Sequence, residues 1–380
     1  MTPDSPSEIL ARLLALSGPE HEAQRSSLIL AALEAESPAV RDAAIAWAAR
    51  WLEPSVLTSL VARDEHATLR NVALAALVRQ GQYAVDHLEG MLRQANSEVV
   101  MFATEILAEI QSPDSAPALL PLLQHSDPNV VQVVIDALGR LHAVQAVAPL
   151  LGFLNADLWL QLAAVQSLGE IGDPKAEPAL LALVPASEVA APALEALARF
   201  GGRPTLELGL DLLQRPELAD LRDPLLRAVG AVLERHPAAA SGLGRGRFAE
   251  SVEADRTEAG LRRYLAGVLR SEVESSEPEE CPGRDDRSSA RGGGPLVQAA
   301  GTLTIAAGLR SLFPEVLIWA AEPAGAAWIE PLCRRHPQAL DAALPALLKD
   351  ADSRVRSGTL LAGAFRRDQL PLLRAALLDS

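Results

Sequence analysis

A repeated pattern with a period of roughly 30 residues constrains this chain more than any other feature of its sequence. Two consecutive copies fill residues 127–184 and read DPNVVQVVIDALGRLHAVQAVAPLLGFLN and ADLWLQLAAVQSLGEIGDPKAEPALLALV. One small or aliphatic residue marks the same point of six successive copies: Ala48, Leu77, Leu107, Leu138, Leu168 and Leu197. The spacing between successive markers is nearly constant along the chain. A fixed period of this size predicts a solenoid built from repeated units.

Each copy predicts a pair of short helices. The apolar residues of its first half stand at i, i+4, i+5 and i+8, on one face of a helix: Val130, Val134, Ile135 and Leu138, then Leu160, Ala164, Val165 and Leu168. Asp127 supplies an N-cap ahead of Pro128, and we expect Gly139 and Gly169 to end the first helices. Pro178 restarts the chain as a second apolar helix. The predicted fold class is therefore all-α, an α-solenoid of short helical hairpins.

The two copies resemble the HEAT-like repeat of the phycobilisome (PBS) lyases, which reads D-P-x-V-(R)-x-x-A-x-x-A-L-G-x-(I/L)-G-D-P-x-A-x-P-A-L. Arg41 and Arg70 occupy the position at which that family prefers arginine. The resemblance extends from residue 37 to about residue 200, with partial copies around Leu221 and Asp352. It implies an armadillo-like alpha-alpha superhelix whose second helices line the concave face. The same repeat serves enzymes, scaffolds and adaptors, so the family alone does not define a function.

The distribution of the pattern along the chain predicts five segments. Residues 271–295 read SEVESSEPEECPGRDDRSSARGGGP, contain almost nothing that a core would bury, and are expected to form a disordered linker. The expected division is a capping hairpin at 1–36, six HEAT-like repeats at 37–214, a degenerate repeat and helix at 215–270, the linker at 271–295, and a C-terminal helical block with a final HEAT-like unit at 296–380.

Composition argues against several classes of function. The net charge of −15 argues against a binder of phosphate backbones, which needs a basic stripe, so nucleic acid is not an expected partner. No stretch is long and apolar enough to span a membrane, and two cysteines offer neither a disulfide framework nor a CxxC metal site. Lysine occurs only at Lys175 and Lys349 against many arginines, as in a GC-rich bacterial coding sequence. We expect a bacterial, cytoplasmic protein.

No grouping of residues predicts a catalytic, metal-binding or cofactor-binding site. The repeat family includes iron-dependent hydroxylases that hold metal with paired His-Glu motifs, and this chain has a single such pair, His21-Glu22. Lyases that attach bilins share the repeat, so a bilin-lyase-like or other PBS-lyase-family enzyme is the alternative function. Trp47, Trp51 and Trp159 are the candidates for a tetrapyrrole pocket, although an aromatic residue in such a column more often fills a core.

An uncharged surface on three second helices is the candidate functional site. The helices read SAPALLPLLQ, AVQAVAPLLGFL and PALLALVPAS, and their apolar columns cover an arc of roughly 160°, wider than the roughly 100° that one core contact needs. The predicted partner-binding residues are Pro121, Leu122, Gly152, Phe153, Ala182 and Leu183. They predict a groove that binds a protein partner, an apolar or amphipathic helix. Burial of the whole arc between repeats is the equally weighted alternative.

Two charge patterns accompany this surface. The residues Glu109, Arg140, Glu170 and Arg199 alternate in sign at one position of successive repeats, which predicts ion pairs between neighbours. Residues 94–186 hold ten acidic against two basic residues, a net charge of −8. This acidic belt either orients a basic partner or keeps the protein soluble. The function expected from these features is a non-enzymatic scaffold or adaptor that holds a protein partner on the concave face of the solenoid.

Overall fold

The computed structural model describes most of the chain as short helices. The described residues are 6–16, 21–35, 37–62, 67–185, 188–240, 247–254, 260–275, 295–321, 323–336, 340 and 343–362. Within these ranges there is no β-strand, which agrees with the predicted all-α class. The chain divides into two compact units, Met1–Ile171 and Gly172–Ser380. Each unit is a succession of helical hairpins, the arrangement of an α-solenoid.

From the third to the twelfth helix, longer first helices alternate with shorter second helices. Those of the first unit are α1 (Pro6–Ala15), α2 (Glu22–Leu33), α3 (Pro38–Trp51), α4 (Pro54–Val61), α5 (Ala67–Gln80), α6 (Val85–Met91), α7 (Ser97–Ile110), α8 (Ala116–Leu119), α9 (Pro128–Arg140), α10 (Val147–Leu151) and α11 (Leu158–Ile171). Those of the second unit are α12 (Glu177–Leu183), α13 (Ala190–Phe200), α14 (Arg203–Leu213), α15 (Arg222–Arg235), α16 (Arg247–Ala254), α17 (Leu261–Ser275), α18 (Pro295–Ala307), α19 (Phe313–Ala320), α20 (Pro323–Arg335), α21 (Leu344–Leu347) and α22 (Ser353–Leu361). Short 3-10 turns extend several of the second helices.

The residues that mark the repeat period form the centre of the core. All six have no exposed surface: Ala48, Leu77, Leu107, Leu138, Leu168 and Leu197. In α9 the other predicted core positions, Val130, Val134 and Ile135, are also fully buried. Leu160, which holds the first of these positions in α11, is only half-buried. The burial of the remaining columns confirms the helical period that the repeat predicts.

Successive first helices of the first unit pack closely through small residues. The helix α9 packs against α7 and against α11. A β-carbon on Gly139 would lie 2.8 Å from the backbone Cα of Ser167, so the two helices approach too closely here for a larger residue. The buried hydroxyl of Ser167 donates to the main-chain oxygen of Ile135 at 2.9 Å. The close contact and the buried hydrogen bond together define the register of neighbouring repeats.

The first helices continue past the predicted ends. The helix α9 runs one residue beyond Gly139 and α11 two residues beyond Gly169, so the prediction that these glycines end the helices is wrong. After four of the six repeat markers the chain instead turns at the fourth residue, where φ is positive: 58° at Gly81, 55° at Gln111, 48° at His142 and 70° at Gly172. After α9 the N–H of Ala143 donates to the Leu138 carbonyl at 3.1 Å, the bond of a Schellman turn.

Aspartate and asparagine side chains cap the N-termini of several first helices. The carboxylate of Asp127 accepts a hydrogen bond from the N–H of Asn129 at 2.9 Å, which confirms Asp127 as the N-cap of α9. This hydrogen bond stabilises the charged form and lowers the pKa of Asp127. Asn96 caps α7 and Asp352 caps α22 in the same way. The partial repeat noted near the end of the chain therefore has the local structure of a first helix.

Glu177 shows a long-range cap that the local sequence does not predict. The helix α12 begins at Glu177, one residue before the predicted Pro178, and the Glu177 residue is only 8% exposed. Its Oε1 accepts hydrogen bonds from the N–H of Gly202 at 2.8 Å, and from the N–H and the hydroxyl of Thr205 at 3.1 and 2.7 Å. The carboxylate thus caps the N-terminus of α14, whose own N-cap residue is a glycine. One of the ten acids of the predicted belt is therefore buried.

Helices on either side of the predicted linker pack against each other within the second unit. The helix α18 lies on α15, where a β-carbon on Gly230 would come within 2.6 Å of the β-carbon of Ala299. The hydroxyl of Thr302 in α18 donates to the carboxylate of Glu234 in α15 at 3.1 Å. This packing joins helices that the sequence-based division assigns to separate segments, 215–270 and 296–380.

The bounds of the predicted linker also differ from the helices observed. The helix α17 extends to Ser275, so the first five residues of 271–295 are helical, and α18 begins at Pro295. Residues 276–294 lie outside the described residues. In the same unit Arg270 of α17 pairs with Glu315 of α19 at 2.7 Å, which adds a second connection between the predicted segments.

Two glycines of the first unit offer a matched test of the close contact between repeats. Gly139→Ala should lower the free energy of unfolding by about 1 to 2 kcal/mol, because the overpacking cost exceeds the roughly 1 kcal/mol that alanine gains in helix propensity. Gly152→Ala should leave stability unchanged or raise it, because nothing lies within 4 Å of the added β-carbon. Urea unfolding followed by circular dichroism measures both, and equal effects would contradict the packing described here.

A cut within residues 276–294 tests the packing of α18 on α15. After insertion of a specific protease site there and complete cleavage, the two fragments should co-elute in gel filtration and separate only in denaturant. The contacts around Gly230 and Thr302 hold them together. Elution as two separate fragments under native conditions would instead support the independent blocks expected from the sequence.

Candidate functional site

Two second helices of the first unit, α8 and α10, share an unusual local shape. The helix α8 continues directly into the 3-10 segment Leu120–Gln124, and α10 continues into Gly152–Asn155. Pro121 has no N–H to donate to the carbonyl four residues earlier, which favours the tighter turn after α8. Each of these two second helices is therefore a short α-helical segment followed by a 3-10 turn, and both present the same columns of residues.

The apolar arc of these helices is buried at its edges and accessible in its middle. Leu119 and Leu150 have no exposed surface, and Leu123 and Leu154 are 8% and 5% exposed. The residues between these columns are accessible: Pro121 and Gly152 are exposed, and Leu122 and Phe153 are half-buried. No atom lies within 4 Å of where a β-carbon of Gly152 would stand. In this unit the arc is therefore not completely buried between repeats.

The second unit repeats this pattern in α12. Ala182 is exposed and Leu183 is half-buried, while Leu180 and Val184 on either side have no exposed surface. The structure thus places the other four predicted partner-binding residues on successive second helices of the first unit, and Ala182 and Leu183 at the corresponding positions of the second unit.

Gly90 belongs to the same exposed column, and the sequence analysis did not identify it. It lies in α6, and the space around its missing β-carbon is open. Gly90 precedes Pro121 by the same number of positions as Pro121 precedes Gly152, and this equal spacing is the signal that identifies it. Charged neighbours obscured the match, because Asp86 and Glu89 share the helix. The uncharged part of the column therefore begins at Pro121.

Acidic groups surround the uncharged surface. Residues 111–171 contain five acids and a single base, Arg140. The guanidinium of Arg140 contacts the Glu109 carboxylate at 2.9 Å, which confirms one of the predicted pairs between repeats. Both side chains are about half exposed, so this pair contributes only about 0 to 1 kcal/mol. Burial and the nearby Glu170 carboxylate raise the pKa of Asp136 against the opposing effect of Arg140, as expected where negative charge is in excess.

Three of the exposed large apolar side chains of the first unit lie close to α10 in sequence. Val144 is 54% exposed, Leu158 is 50% exposed and Trp159 is 37% exposed. Leu158 and Trp159 open α11, directly after the second helix that ends at Asn155. Of the other tryptophans considered for a tetrapyrrole pocket, Trp47 is buried in the core and Trp51 is half-buried.

The described residues show no arrangement suited to metal or thiol chemistry. Among them no group of three His, Cys, Asp or Glu side chains is placed to hold an ion. Cys333 is buried, and burial raises the pKa of its thiol to about 12, which keeps it protonated and weakly nucleophilic at neutral pH. None of the helices described above combines the length and hydrophobicity that crossing a lipid bilayer requires.

Comparison with known families identifies the repeats. The family model for HEAT repeats matches residues 88–161, and the family model for the PBS lyase HEAT-like repeat matches residues 160–184. Together the two matches include all six predicted partner-binding residues. No curated protein matches the chain significantly.

Solved structures share the fold at low sequence identity. Importin beta in an ammonium sulfate condition matches with a TM-score of 0.56 and 13% identity over 98% of this chain and 57% of its own. The structure of Kap95p with RanGDP matches with a TM-score of 0.55 and 12% identity, over 98% and 56%. This chain thus spans just over half the length of those two. The CpcE and CpcF complex of phycocyanin lyase from Nostoc sp. PCC7120 matches at 20% identity over 55% of this chain and 87% of that one, with a TM-score of only 0.33.

The repeat period, the buried marker residues and the family matches agree with one another. At these identities the solved structures extend the comparison to the fold alone. Residues 88–184 therefore carry HEAT repeats, including one of the PBS lyase type, within a chain that has the fold of an α-solenoid.

Proposed function

We propose that this protein is a non-enzymatic scaffold that binds a protein partner on the second-helix surface of its repeats. The observation that carries the proposal is the exposed, uncharged column of Pro121 and Gly152, flanked by half-buried Leu122 and Phe153. Continuous apolar surface with a polar rim marks interaction sites on soluble proteins. Small residues in the middle of such a surface let the backbone of a partner helix approach closely.

The family resemblance supports the position of this surface within the solenoid. In HEAT-like repeats the second helices line the concave face, and Ala182 and Leu183 hold the corresponding positions of the second unit. The fold itself is suited to this role, since Kap95p, which shares it, was solved with a protein partner, RanGDP. An extended array of second helices offers a long surface without requiring a deep pocket.

The charges around the surface favour a basic amphipathic helix as the partner. Asp127 and Asp157 follow the two second helices directly, and Arg140 is already paired with Glu109. A partner with apolar residues on one face and lysine or arginine at its flanks would meet both features. The exposed indole of Trp159 adds an aromatic side chain of the type that often anchors such contacts.

A bilin-lyase-like enzyme is the second candidate function. The PBS lyase HEAT-like repeat at 160–184 and the exposed Trp159 favour it. For a scaffold, mixing the purified protein with a linear tetrapyrrole such as phycocyanobilin should leave the absorption spectrum of the pigment unchanged. A stable new band that disappears in Trp159→Leu would favour the enzyme instead.

Arginine substitutions in the exposed column test the docking surface. Gly152→Arg and Ala182→Arg should each keep the circular-dichroism spectrum and melting curve, because both positions face solvent. Each should reduce the main partner recovered by affinity capture from the native cell by about tenfold or more, because a charge buried against an apolar helix without a partner is costly. Quantitative mass spectrometry measures the recovery.

Gln166→Arg is the matched control for these variants. It adds the same charge at an exposed position of the first helix α11 and should retain the partner. Recovery of the partner should also fall at high salt if basic flanks contribute. Undiminished capture by both column variants would place the binding site elsewhere, and unfolding of either would show that its position belongs to the core.

A further inference from the structure

A pocket in the second unit plays no part in the proposed docking surface. It has a volume of about 360 Å³, which is within the range of small-molecule sites, and it is open to solvent. It lies between the end of α15, the start of α18 and one side of α20, and its lining includes Glu234, Gln298, Trp328, Pro331, Leu332 and Arg335. Apolar and charged groups therefore meet in one concave site formed by three helices.

The apolar wall of this pocket is held in place by packing. The ring of Trp328 stacks obliquely on Trp319, with ring centroids 4.8 Å apart. On another side it reaches Gly301, where an added β-carbon would lie 2.4 Å from the indole. Leu332 beside it is only 2% exposed. The wall is thus pre-formed, which lowers the entropic cost of binding a ligand.

The two charged groups of the pocket have opposite signs and are not paired with each other. Glu234 accepts one hydrogen bond from Thr302 at 3.1 Å, and the guanidinium of Arg335 lies 3.5 Å from the main-chain oxygen of Glu234. Within the described part of the chain, neither side chain has an ion-pair partner within 4.0 Å. The amide of Gln298 likewise makes no hydrogen bond to the described residues. These groups retain unused donors and acceptors that face the pocket.

Pro331 interrupts the main-chain hydrogen bonds of α20 beside the same wall. It lies inside α20 and has no N–H to donate to the carbonyl of Ala327, four residues earlier. Ala327 is itself part of the pocket lining.

We infer that this pocket binds a free α-amino acid with an apolar or aromatic side chain. The carboxylate of the ligand pairs with Arg335, its ammonium group meets Glu234, and its side chain packs on Trp328 and Leu332. A ligand that carries only a negative charge would face Glu234, and one that carries only a positive charge would face Arg335. A zwitterion satisfies both groups. This inference is independent of the proposed scaffold function.

Isothermal titration of the full chain with three related compounds tests the inference. L-Phenylalanine carries both charges, 3-phenylpropanoate lacks the ammonium group and phenethylamine lacks the carboxylate. L-Phenylalanine should bind with a dissociation constant of about 1 mM or lower and at least about tenfold more tightly than either of the others. Absence of saturable binding by L-phenylalanine, or equal binding of all three, would overturn it.

Variants of the charged groups separate the pocket from nonspecific binding. Arg335→Met and Glu234→Gln should each weaken the binding of L-phenylalanine by about tenfold, and only Glu234→Gln should weaken the binding of phenethylamine. Glutamine still accepts the hydrogen bond from Thr302, so the fold should be retained, as a melting curve would verify. Arg334→Met is the matched control, because Arg334 is exposed and pairs with Glu330 outside the pocket lining. Equal weakening by Arg334→Met and Arg335→Met would contradict the assignment.

Discussion

The close contact between neighbouring first helices is the constraint on which each unit depends. A single short hairpin cannot bury the apolar face that contains Leu138, so that face is covered only when α7, α9 and α11 lie against one another. The approach is close enough that Gly139 tolerates no side chain, and the hydroxyl of Ser167 crosses to the next helix. Because first helices supply the core, the second helices are required to bury only the edges of their apolar arcs. The middle of each arc is then available for other contacts.

Much of this architecture followed from periodicity, because the repeat and the helical pattern are both local properties of the sequence. The positions of the helix ends did not follow from periodicity. His142 adopts the left-handed conformation that a glycine would adopt more easily, and its Nδ1–H donates to the main-chain oxygen of Glu170 at 2.7 Å, 28 residues away. Glu177 caps α14 across 25 residues. Such long-range hydrogen bonds compensate for locally unfavourable residues at the helix ends. A short window of the sequence does not reveal them.

The candidate sites could likewise be predicted from the sequence only in part. The repeat alignment placed Pro121 and Gly152 in one column between two apolar columns. It left exposure and burial of that column as equal alternatives, and both residues are exposed in the structure. Gly90 was missed because acidic neighbours in α6 interrupt the uncharged pattern. The pocket beside Trp328 was beyond sequence reasoning altogether. Its walls come from α15, α18 and α20, where the repeat is degenerate and sequence spacing no longer indicates which side chains meet.

The packing of α18 on α15 shows how little a long insertion disturbs such an array. The hydrogen bond between Thr302 and Glu234 joins residues 68 positions apart, whereas the bond between Ser167 and Ile135 spans 32. Loop-closure entropy grows only with the logarithm of loop length, so this roughly twofold difference costs about 0.6 kcal/mol. One interhelical contact offsets that amount. The junction between two repeats is therefore a place where the chain can acquire an additional peptide, or lose one, while the order of helix stacking on either side is preserved.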